Sequence, residues 1–438
     1  LFSSFIALFL CAAPAFGDSL QEALRLCQST NPQMKTQRIG VKISEEELVA
    51  AKGTRRPTVT VTSQYGPEKI STNRVFVLDE GGRQIGSVSL QATQPLYTGG
   101  RIQAGIDRAR AGIGATQAQF MAVEQDIYLN TIIAYMDVRL DREAIKIRQG
   151  SVTLLEEQAR AAKDRFEVGD ITRTDVALAE ARLEGARAQL AAAQSQAEVS
   201  HANYAFLVGR MPGNLQAPPP ISDMPASFDE ALAIGLQNNP RIKASLFNEQ
   251  AAQQGVKSAK GRLRPELNFV ASAGVQATLN QQDTLNLLDP TATEPMPTPD
   301  FVDRNISAFL QARIPLYQGG VARSQLRSAR QSVRQAELAT ETQRRQTVAD
   351  ISRAWYAFIA AEIGINASKR QVEAAEIAFE GGKEELLVGV RTTLDVLTQE
   401  QDLLEARLAQ IQAERNLYIA AHQLFKAMGD LTPERLGL

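Results

Sequence analysis

The chain has 438 residues, of which 6% are aromatic, and the segments with helical periodicity are rich in Ala, Gln, Glu and Arg. This composition favours long, thin helices over one large globular core. The 47 basic and 49 acidic residues leave a net charge of -2 and are dispersed along the chain, so we expect no basic patch and no nucleic-acid partner.

The first seventeen residues, Leu1–Gly17, form an apolar run that ends in small residues and is followed at once by Asp18. The run is too short to span a membrane, so it predicts an export signal peptide, with a core helix as the alternative. If Cys11 leaves with the signal, Cys27 has no partner for an internal disulfide. The rest of the chain has no run of about twenty apolar residues, so a membrane segment would have to consist of strands.

The second half of the chain repeats the first. Asn31 matches Asn239 at an offset of 208 (239 − 31), and Gly169 matches Gly389 at an offset of 220 (389 − 169). The difference of 12 falls in the segment Asn280–Pro299, whose Pro, Thr and Asp content predicts a loop. We therefore predict a tandem duplication with a signal peptide at 1–17, repeats at 18–216 and 227–438, and a linker at 217–226.

Each repeat begins with a predicted helix, capped by Ser19 or Ser227 and ending before Pro57 or Pro265. Two strands follow in each repeat, predicted over Thr58–Tyr65, Ile85–Gln94, Glu266–Gln276 and Asn305–Ile314.

The alternation of these strands is that of a sheet with one apolar face. We expect the following side chains to face lipid: Leu267, Phe269, Ala271, Ile306, Ala308 and Leu310. Strands of about 8 to 11 residues have the length of tilted membrane strands, although soluble hairpins have the same pattern. Four strands cannot close a conduit, and lipid excludes open sheet edges, so a membrane sheet needs partner chains.

A proline and two glycines mark the point where each repeat changes from strand to helix. Proline cannot donate to a strand ladder, and glycine adopts backbone angles closed to other residues. The predicted strand-to-helix joints are Pro95, Gly99, Gly100, Pro315, Gly319 and Gly320.

A very long helix is predicted after the first joint, over Arg101–Arg165, with the apolar spacing of a coiled coil. At 1.5 Å per residue it would reach about 100 Å. It turns at Phe166–Asp170 and returns as a second helix, and the second repeat turns likewise at Leu386–Val390. Both turns are expected at the end of the molecule far from the strands.

These motifs together resemble the TolC family of outer-membrane channels over essentially the whole mature chain. The resemblance is carried by the duplicated Pro-Leu-Tyr-x-Gly-Gly joint, by Val168-Gly169 with Thr174-Asp175, and by residues 388–397. It implies a mainly α fold with membrane β: a homotrimer in which four strands per chain form one twelve-stranded barrel in outer-membrane lipid, continued by a long α-helical periplasmic barrel. It also implies a periplasmic adaptor and an inner-membrane pump of the ABC or RND type, with drugs, metals or an unfolded protein as cargo.

The resemblance assigns a periplasmic gate to Arg391, which would tie its hairpin to a neighbour through Thr174 and Asp175. A solvated helix arginine is the alternative. The family's second gate partner, a tyrosine, is replaced here by Leu386, so part of the usual latch is missing.

The resemblance also implies a selectivity ring formed by Asp395 from each chain. The family often has a second acidic residue one turn later, where this chain has Thr398, so we expect one ring. The resemblance places adaptor docking at the two turns, at Val168, Gly169, Val388 and Gly389.

No nucleophile motif, phosphate loop or cofactor motif occurs in the sequence, so neither an enzyme nor a cofactor is expected. His201 and His422 stand alone on helices, so no metal site is expected. The alternative to a passive export duct is a periplasmic or secreted coiled-coil scaffold without a lumen.

Overall fold

The computed structural model describes residues 18–74, 77–280, 283–286, 296–297 and 300–438. The predicted signal peptide at 1–17 lies outside the described residues, as does most of the predicted loop 280–299. The chain divides into two compact units. We call 18–41, 116–245 and 340–438 the helical unit, and 42–115 and 246–339 the sheet unit.

Helices dominate the described residues, and their bounds repeat along the chain. The helices are α1 (Leu20–Thr30), α2 (Pro32–Gly53), α3 (Arg101–Glu167), α4 (Arg173–Val208), α5 (Phe228–Asn238), α6 (Pro240–Gly261), α7 (Val321–Leu387) and α8 (Thr393–Met428). Helices α1 and α2 recur as α5 and α6 at the offset of 208, and α3 and α4 recur as α7 and α8 at 220. None of the helices in the described part of the chain is long and apolar enough to cross a membrane.

The prediction of one helix before each strand pair was wrong, because each of these segments forms two helices. The break lies at Asn31-Pro32 and again at Asn239-Pro240. Proline disfavours helical angles in the residue before it, and Asn31 accordingly has an extended conformation with ψ of 122°. Its side-chain oxygen accepts a hydrogen bond from the Gln33 amide at 2.9 Å and so caps α2.

The strands form one antiparallel sheet in which the long members follow the order β1-β2-β3-β6. The strands are β1 (Thr58–Arg74), β2 (Val77–Tyr97), β3 (Glu266–Asn280), β4 (Asp283–Asn286), β5 (Met296–Pro297) and β6 (Phe301–Arg313). The long strands contain 13 to 21 residues and exceed the predicted lengths, because backbone pairing continues beyond the apolar alternation from which the strands were predicted. The predicted loop also includes β4 and β5.

Buried aromatic and aliphatic side chains form the core of the helical unit. The rings of Tyr128, Tyr135 and Tyr204 are fully buried there with residues from α1, α3, α4, α7 and α8. The Tyr135 hydroxyl lies 2.8 Å from the carbonyl oxygens of both Asp18 and Gln216. This core fixes the helices from which the two hairpins of the helical unit extend.

A smaller apolar cluster packs the first hairpin against the second. Its buried members are Val152, Leu155, Ala159, Ala179, Leu183 and Leu397, from α3, α4 and α8. Val152, Leu155 and Ala159 have the spacing of 3 and 4 residues that was predicted for a coiled coil in α3. Phe166, at the start of the predicted turn, is 44% exposed, and α3 ends one residue later.

Candidate functional site

The sheet unit has one apolar and one polar face. Val61, Leu90, Ala273 and Ile306 lie side by side across the four long strands and form an apolar row. The row formed by the neighbouring residue of each strand points to the opposite face, because the side chains of successive strand residues alternate between the two faces. That row consists of Thr60, Gln91, Ser272 and Ser307.

The apolar face is exposed within the single chain. Ile306 is 89% exposed, Val61 66% and Leu310 64%. The register places all six residues that were expected to face lipid on this one face. On the opposite face, the hydroxyls of Ser272 and Ser307 lie 2.8 Å apart in a polar cross-strand pair. A contiguous apolar face of this kind is characteristic of a surface that is covered by lipid or another protein.

The glycines of both predicted joints have left-handed backbone angles, with φ of 65° at Gly99, 87° at Gly100, 57° at Gly319 and 81° at Gly320. Gly99 also lies against α6, because a Cβ atom there would be 2.5 Å from the Gly261 carbonyl oxygen. These angles let the chain leave the sheet and start a helix, between Tyr97 and Arg101 in the first joint and between Arg313 and Val321 in the second.

The two joint prolines have different positions relative to their strands. Pro95 lies inside β2, which continues to Tyr97 with a shift of register between them. In the second repeat, β6 ends at Arg313, so Pro315 lies beyond the strand. The prediction that proline ends the strand was therefore wrong for the first joint, where the bulge accommodates the missing N–H.

The two hairpin turns of the helical unit share one backbone design. Gly169 has φ of 78°, and its amide donates to the Phe166 carbonyl at 2.9 Å while the Asp170 amide donates to Arg165 at 2.9 Å. Gly389 has φ of 77° and the equivalent pair of bonds. This is the Schellman arrangement, in which glycine ends a helix and satisfies its last carbonyls.

Valine side chains project from both turns. Val168 is 80% exposed, and Val388 and Val390 are each 74% exposed. Because valine has no polar group, these exposed side chains are suited to contact an apolar partner surface.

Each turn also has an ion pair, and the sign of the charges is reversed between them. In the first turn, Arg165 at the end of α3 pairs with Asp170 of the loop at 2.7 Å. In the second turn, Glu385 at the end of α7 pairs with Arg391 of the loop. Within one chain Arg391 thus contacts Glu385, and the structure does not bring it to Thr174 or Asp175. An exposed pair of this kind stabilises by less than about 1 kcal/mol, so it can open readily.

Asp175 and Asp395 begin the returning helices in the same way. Each carboxylate accepts from the amide, at 2.9 Å, and the hydroxyl, at 2.7 Å, of the threonine three residues earlier, Thr172 or Thr392. The aspartate amide donates back to that threonine oxygen at 3.3 Å, which completes a capping box.

These caps lower the pKa of both carboxyl groups, first through the threonine hydroxyl and then through its amide. Both carboxylates are fully exposed, so each presents a fixed negative charge at neutral pH. Thr174, the third residue assigned to the gate, is also exposed, in the first turn of α4.

The capping threonines Thr172 and Thr392 were missed, although the repeated Thr-x-x-Asp spacing is the sequence signature of a capping box. Glu400 was missed as well. It is buried between α8 and α3, where Ser151 and Gln158 each lie 3.3 Å from one of its carboxylate oxygens. Burial raises its pKa. Since most helix glutamates are solvated, the sequence has no signal for such a position.

Histidines do not gather with other metal-binding side chains in the described ranges, where no group of three or more His, Cys, Asp or Glu residues could hold a metal ion. His422 is buried, and its Nδ1 lies 2.8 Å from the Tyr418 carbonyl.

Comparison with protein families gives a match to the family described as "Outer membrane efflux protein", over residues 23–210 and 232–430. Among characterised proteins, the chain is 32% identical over 430 residues to the outer membrane efflux protein BepC of Brucella suis biovar 1, covering 98% of this chain and 89% of that protein. It is 26% identical over 423 residues to protein CyaE of Bordetella pertussis, covering 94% and 84%.

Solved structures share the fold. The outer membrane protein VceC of Vibrio cholerae superposes with a TM-score of 0.74 at 20% sequence identity, covering 94% of this chain and 96% of that chain. A fold of long helices and an antiparallel sheet is therefore common to both chains.

Proposed function

The chain belongs to the outer membrane efflux protein family, and we propose that three copies of it form the exit duct of a tripartite export system. It is an outer-membrane protein with a long periplasmic portion, in a family of channel proteins rather than enzymes. We propose no catalytic role and no cofactor for it. Its two repeats, at 18–216 and 227–438, would each supply one hairpin of strands and one of long helices.

The amphipathic sheet supports a membrane barrel made by several chains. Its outer strands, β1 and β6, have no further long strand beside them in the described part of the chain. Lipid excludes unpaired strand edges, so in a membrane these edges must pair with other copies. Closed cyclic symmetry removes every edge, and three copies give the twelve strands that the family resemblance implies. The apolar face would then contact lipid and the polar face would line the lumen.

The two hairpin turns support a periplasmic gate. We assign the gate to Arg391 with Thr174 and Asp175 of a neighbouring hairpin. In this closed state Arg391 would exchange its exposed partner Glu385 for the neighbour, or bind both, and several weak links repeated by symmetry would hold the entrance shut.

Asp395 would form the selectivity ring, because its carboxylate is exposed and its cap keeps it ionised. Three such charges around a narrow opening favour cations.

The exposed valines of the turns support docking of a periplasmic adaptor. We assign this surface to Val168, Gly169, Val388 and Gly389, since these turns combine apolar side chains with a rigid backbone. The adaptor would link the duct to an inner-membrane pump of the ABC or RND type. Type I protein secretion and multidrug or metal efflux are both compatible with this arrangement, because the pump selects the cargo.

The observation that carries the proposal is the exposed apolar face of the sheet. Ile306→Arg with Leu310→Arg places two charges on that face, at a cost of about 2 to 4 kcal/mol each near the membrane midplane. We expect this variant to be lost from the outer-membrane fraction and to lack the heat-modifiable oligomer on gels. Asn305→Arg with Gln311→Arg is the matched control, because these neighbours lie on the polar face of the same strand. Normal insertion of the apolar-face variant would overturn the assigned lipid face.

A further inference from the structure

The first turns of α7 carry a stripe of arginines. Arg323, Arg327, Arg330 and Arg334 are all exposed and follow one another at steps of 4, 3 and 4 residues, which places them on one side of the helix. No acidic residue occurs on α7 before Glu337. The expectation that the chain has no basic patch, drawn from its overall charge balance, was therefore wrong for this segment.

The stripe points away from α6. Arg262 at the end of α6 donates to the Gln325 side chain at 2.6 Å, so Gln325 marks the side of α7 that faces α6. At about 100° per residue, Arg323 and Arg327 both lie about 160° around the helix from Gln325. The arginines thus lie on the side of α7 that is turned away from α6.

Helix α7 lies at one edge of the helical layer of the sheet unit, and α2 lies at the other. The Arg55 side chain at the end of α2 donates to Gln103 of α3, Gly261 of α6 lies against Arg101 of α3, and α6 in turn contacts α7. The resulting order α2-α3-α6-α7 follows that of the strands β1-β2-β3-β6. If β1 of a second copy pairs with the free edge of β6 in the first copy, the common order of strands and helices places α2 of the second copy beside α7 of the first.

The chain already contains one contact of the same kind, between α3 of the first repeat and α6 of the second. Gly114 lies against Phe247 there, because a Cβ atom on Gly114 would be 2.7 Å from the ring. The two helices run in opposite directions, so a step of two turns, about seven residues, goes back from Gly114 to Asp107 on α3 and forward from Phe247 to Gln254 on α6. Asp107 is therefore level with Gln254.

The repeat offsets transfer this register to the contact between copies. Asp107 corresponds to Arg327 at the offset of 220, and Gln254 corresponds to Glu46 at the offset of 208. Glu46 and the adjacent Glu47 are both exposed on α2. Arg327 is thus level with Glu46, and Arg330 lies within one helical turn of the same pair of carboxylates.

We propose that the arginine stripe of α7 binds Glu46 and Glu47 on α2 of a neighbouring copy of this chain. The inference rests on the proposed assembly and names the side chains that select its partner. Inside the chain the equivalent positions do not carry opposite charges for each other, because Asp107 pairs with Arg110 of its own helix and Gln254 is uncharged. This difference favours the joining of α7 to the α2 of another chain and suppresses wrong pairings.

A charge exchange in the full-length protein tests the contact. Arg327→Glu with Arg330→Glu should raise the monomer fraction of the detergent-extracted protein about tenfold or more, and Glu46→Arg with Glu47→Arg should do the same. The variant that combines all four substitutions should recover the wild-type oligomer, because the charges are opposite again. Arg160→Glu with Arg353→Glu, two exposed arginines of the helical unit, is the control with the same change of charge.

Each outcome decides the proposal. Recovery of the oligomer by the combined variant supports the contact even if the single-sided variants fold poorly. A combined variant that is as monomeric as either parent, or parents that assemble like the control, overturns it. If the wild-type protein itself forms no oligomer, the proposed duct fails instead, so the two failures are distinguishable.

Discussion

Replacement of Gly99 by alanine tests whether the first joint depends on both backbone angle and close packing. The left-handed angle alone costs alanine about 1 to 2 kcal/mol. At Gly99 the added Cβ would also lie 2.5 Å from the Gly261 carbonyl oxygen and 2.8 Å from Arg264 Cβ. Relief of such overpacking by backbone movement costs about 1 to 3 kcal/mol more. We therefore expect Gly99→Ala to destabilise the protein by about 2 to 5 kcal/mol in total.

Gly319 provides the matched control for this experiment. Within one chain it has φ of 57° but no heavy atom within 4 Å of its would-be Cβ, so in the monomeric protein Gly319→Ala should cost only the backbone contribution of about 1 to 2 kcal/mol. Both variants are therefore made in the Arg327→Glu, Arg330→Glu background, which is expected to be monomeric, and are compared by circular dichroism at 222 nm during denaturant unfolding in detergent. Equal destabilisation, or a larger loss for Gly319→Ala, would refute the argument that contact with Gly261 constrains the first joint.

Three further predictions concern the helical unit. Arg391→Ser should raise single-channel conductance, whereas Arg407→Ser, which removes a similarly exposed ion pair between α7 and α8, should not. Asp395→Asn should reduce cation selectivity in a salt gradient. The cap lowers the pKa of Asp395 while the other two carboxylates of the ring would raise it, so wild-type selectivity should persist near neutral pH and weaken as pH falls toward the ordinary aspartate range of about 4. Glu400→Gln should raise the free energy of unfolding at neutral pH, since burial raises the pKa of Glu400 and so disfavours its ionised form.

The controls make these outcomes specific. Asp175→Asn changes an equivalent capping box in the first repeat, so an equal loss of selectivity there would argue against a ring formed by Asp395. For Glu400 the sign follows from its raised pKa. The wild-type free energy of unfolding should fall as pH rises from about 4.5 through the folded-state pKa, and this slope should flatten in Glu400→Gln. An unchanged slope would contradict the prediction. For Arg391, equal conductance of the two serine variants and wild type would remove it from the gate.

The features that sequence predicted well are those set by local chemistry. The paired glycines of each joint indicated positions where the backbone needs a left-handed angle, and the structure has that angle at Gly99 and Gly319. The single glycine of each hairpin turn, Gly169 or Gly389, has it as well. The long apolar repeat after each joint indicated a continuous helix, and α3 and α7 each contain 67 residues. Both signals act within a few residues, so no knowledge of the tertiary fold is needed.

The features that could not be predicted from the sequence depend on which backbone segments and side chains pair in the folded chain. One further feature, a helix break, had a local signal that was overlooked. The strands extend beyond their apolar cores because a paired backbone tolerates polar and glycine residues. The partner of Arg391 in the chain, Glu385, is six residues away across a turn whose geometry had to be known first. The proline after Asn31 is a sequence signal for a break between two helices, but the helical pattern on both sides of it favoured one continuous helix.

Charge was misjudged because the totals were taken over the whole chain. The near balance of 47 basic and 49 acidic residues hides the acid-free start of α7. Only the order of the helices shows that Arg327 and Glu46 lie at opposite edges of the same layer.

Electrical recording from planar lipid bilayers containing the purified protein tests the central claim most directly. If copies of this chain close a barrel whose polar face lines a lumen, the current should rise in discrete, uniform steps as single assemblies insert. The Arg391→Ser variant, in which the proposed gate is disrupted, is recorded in the same way. If both proteins insert stably and the bilayer remains non-conducting, the account is contradicted.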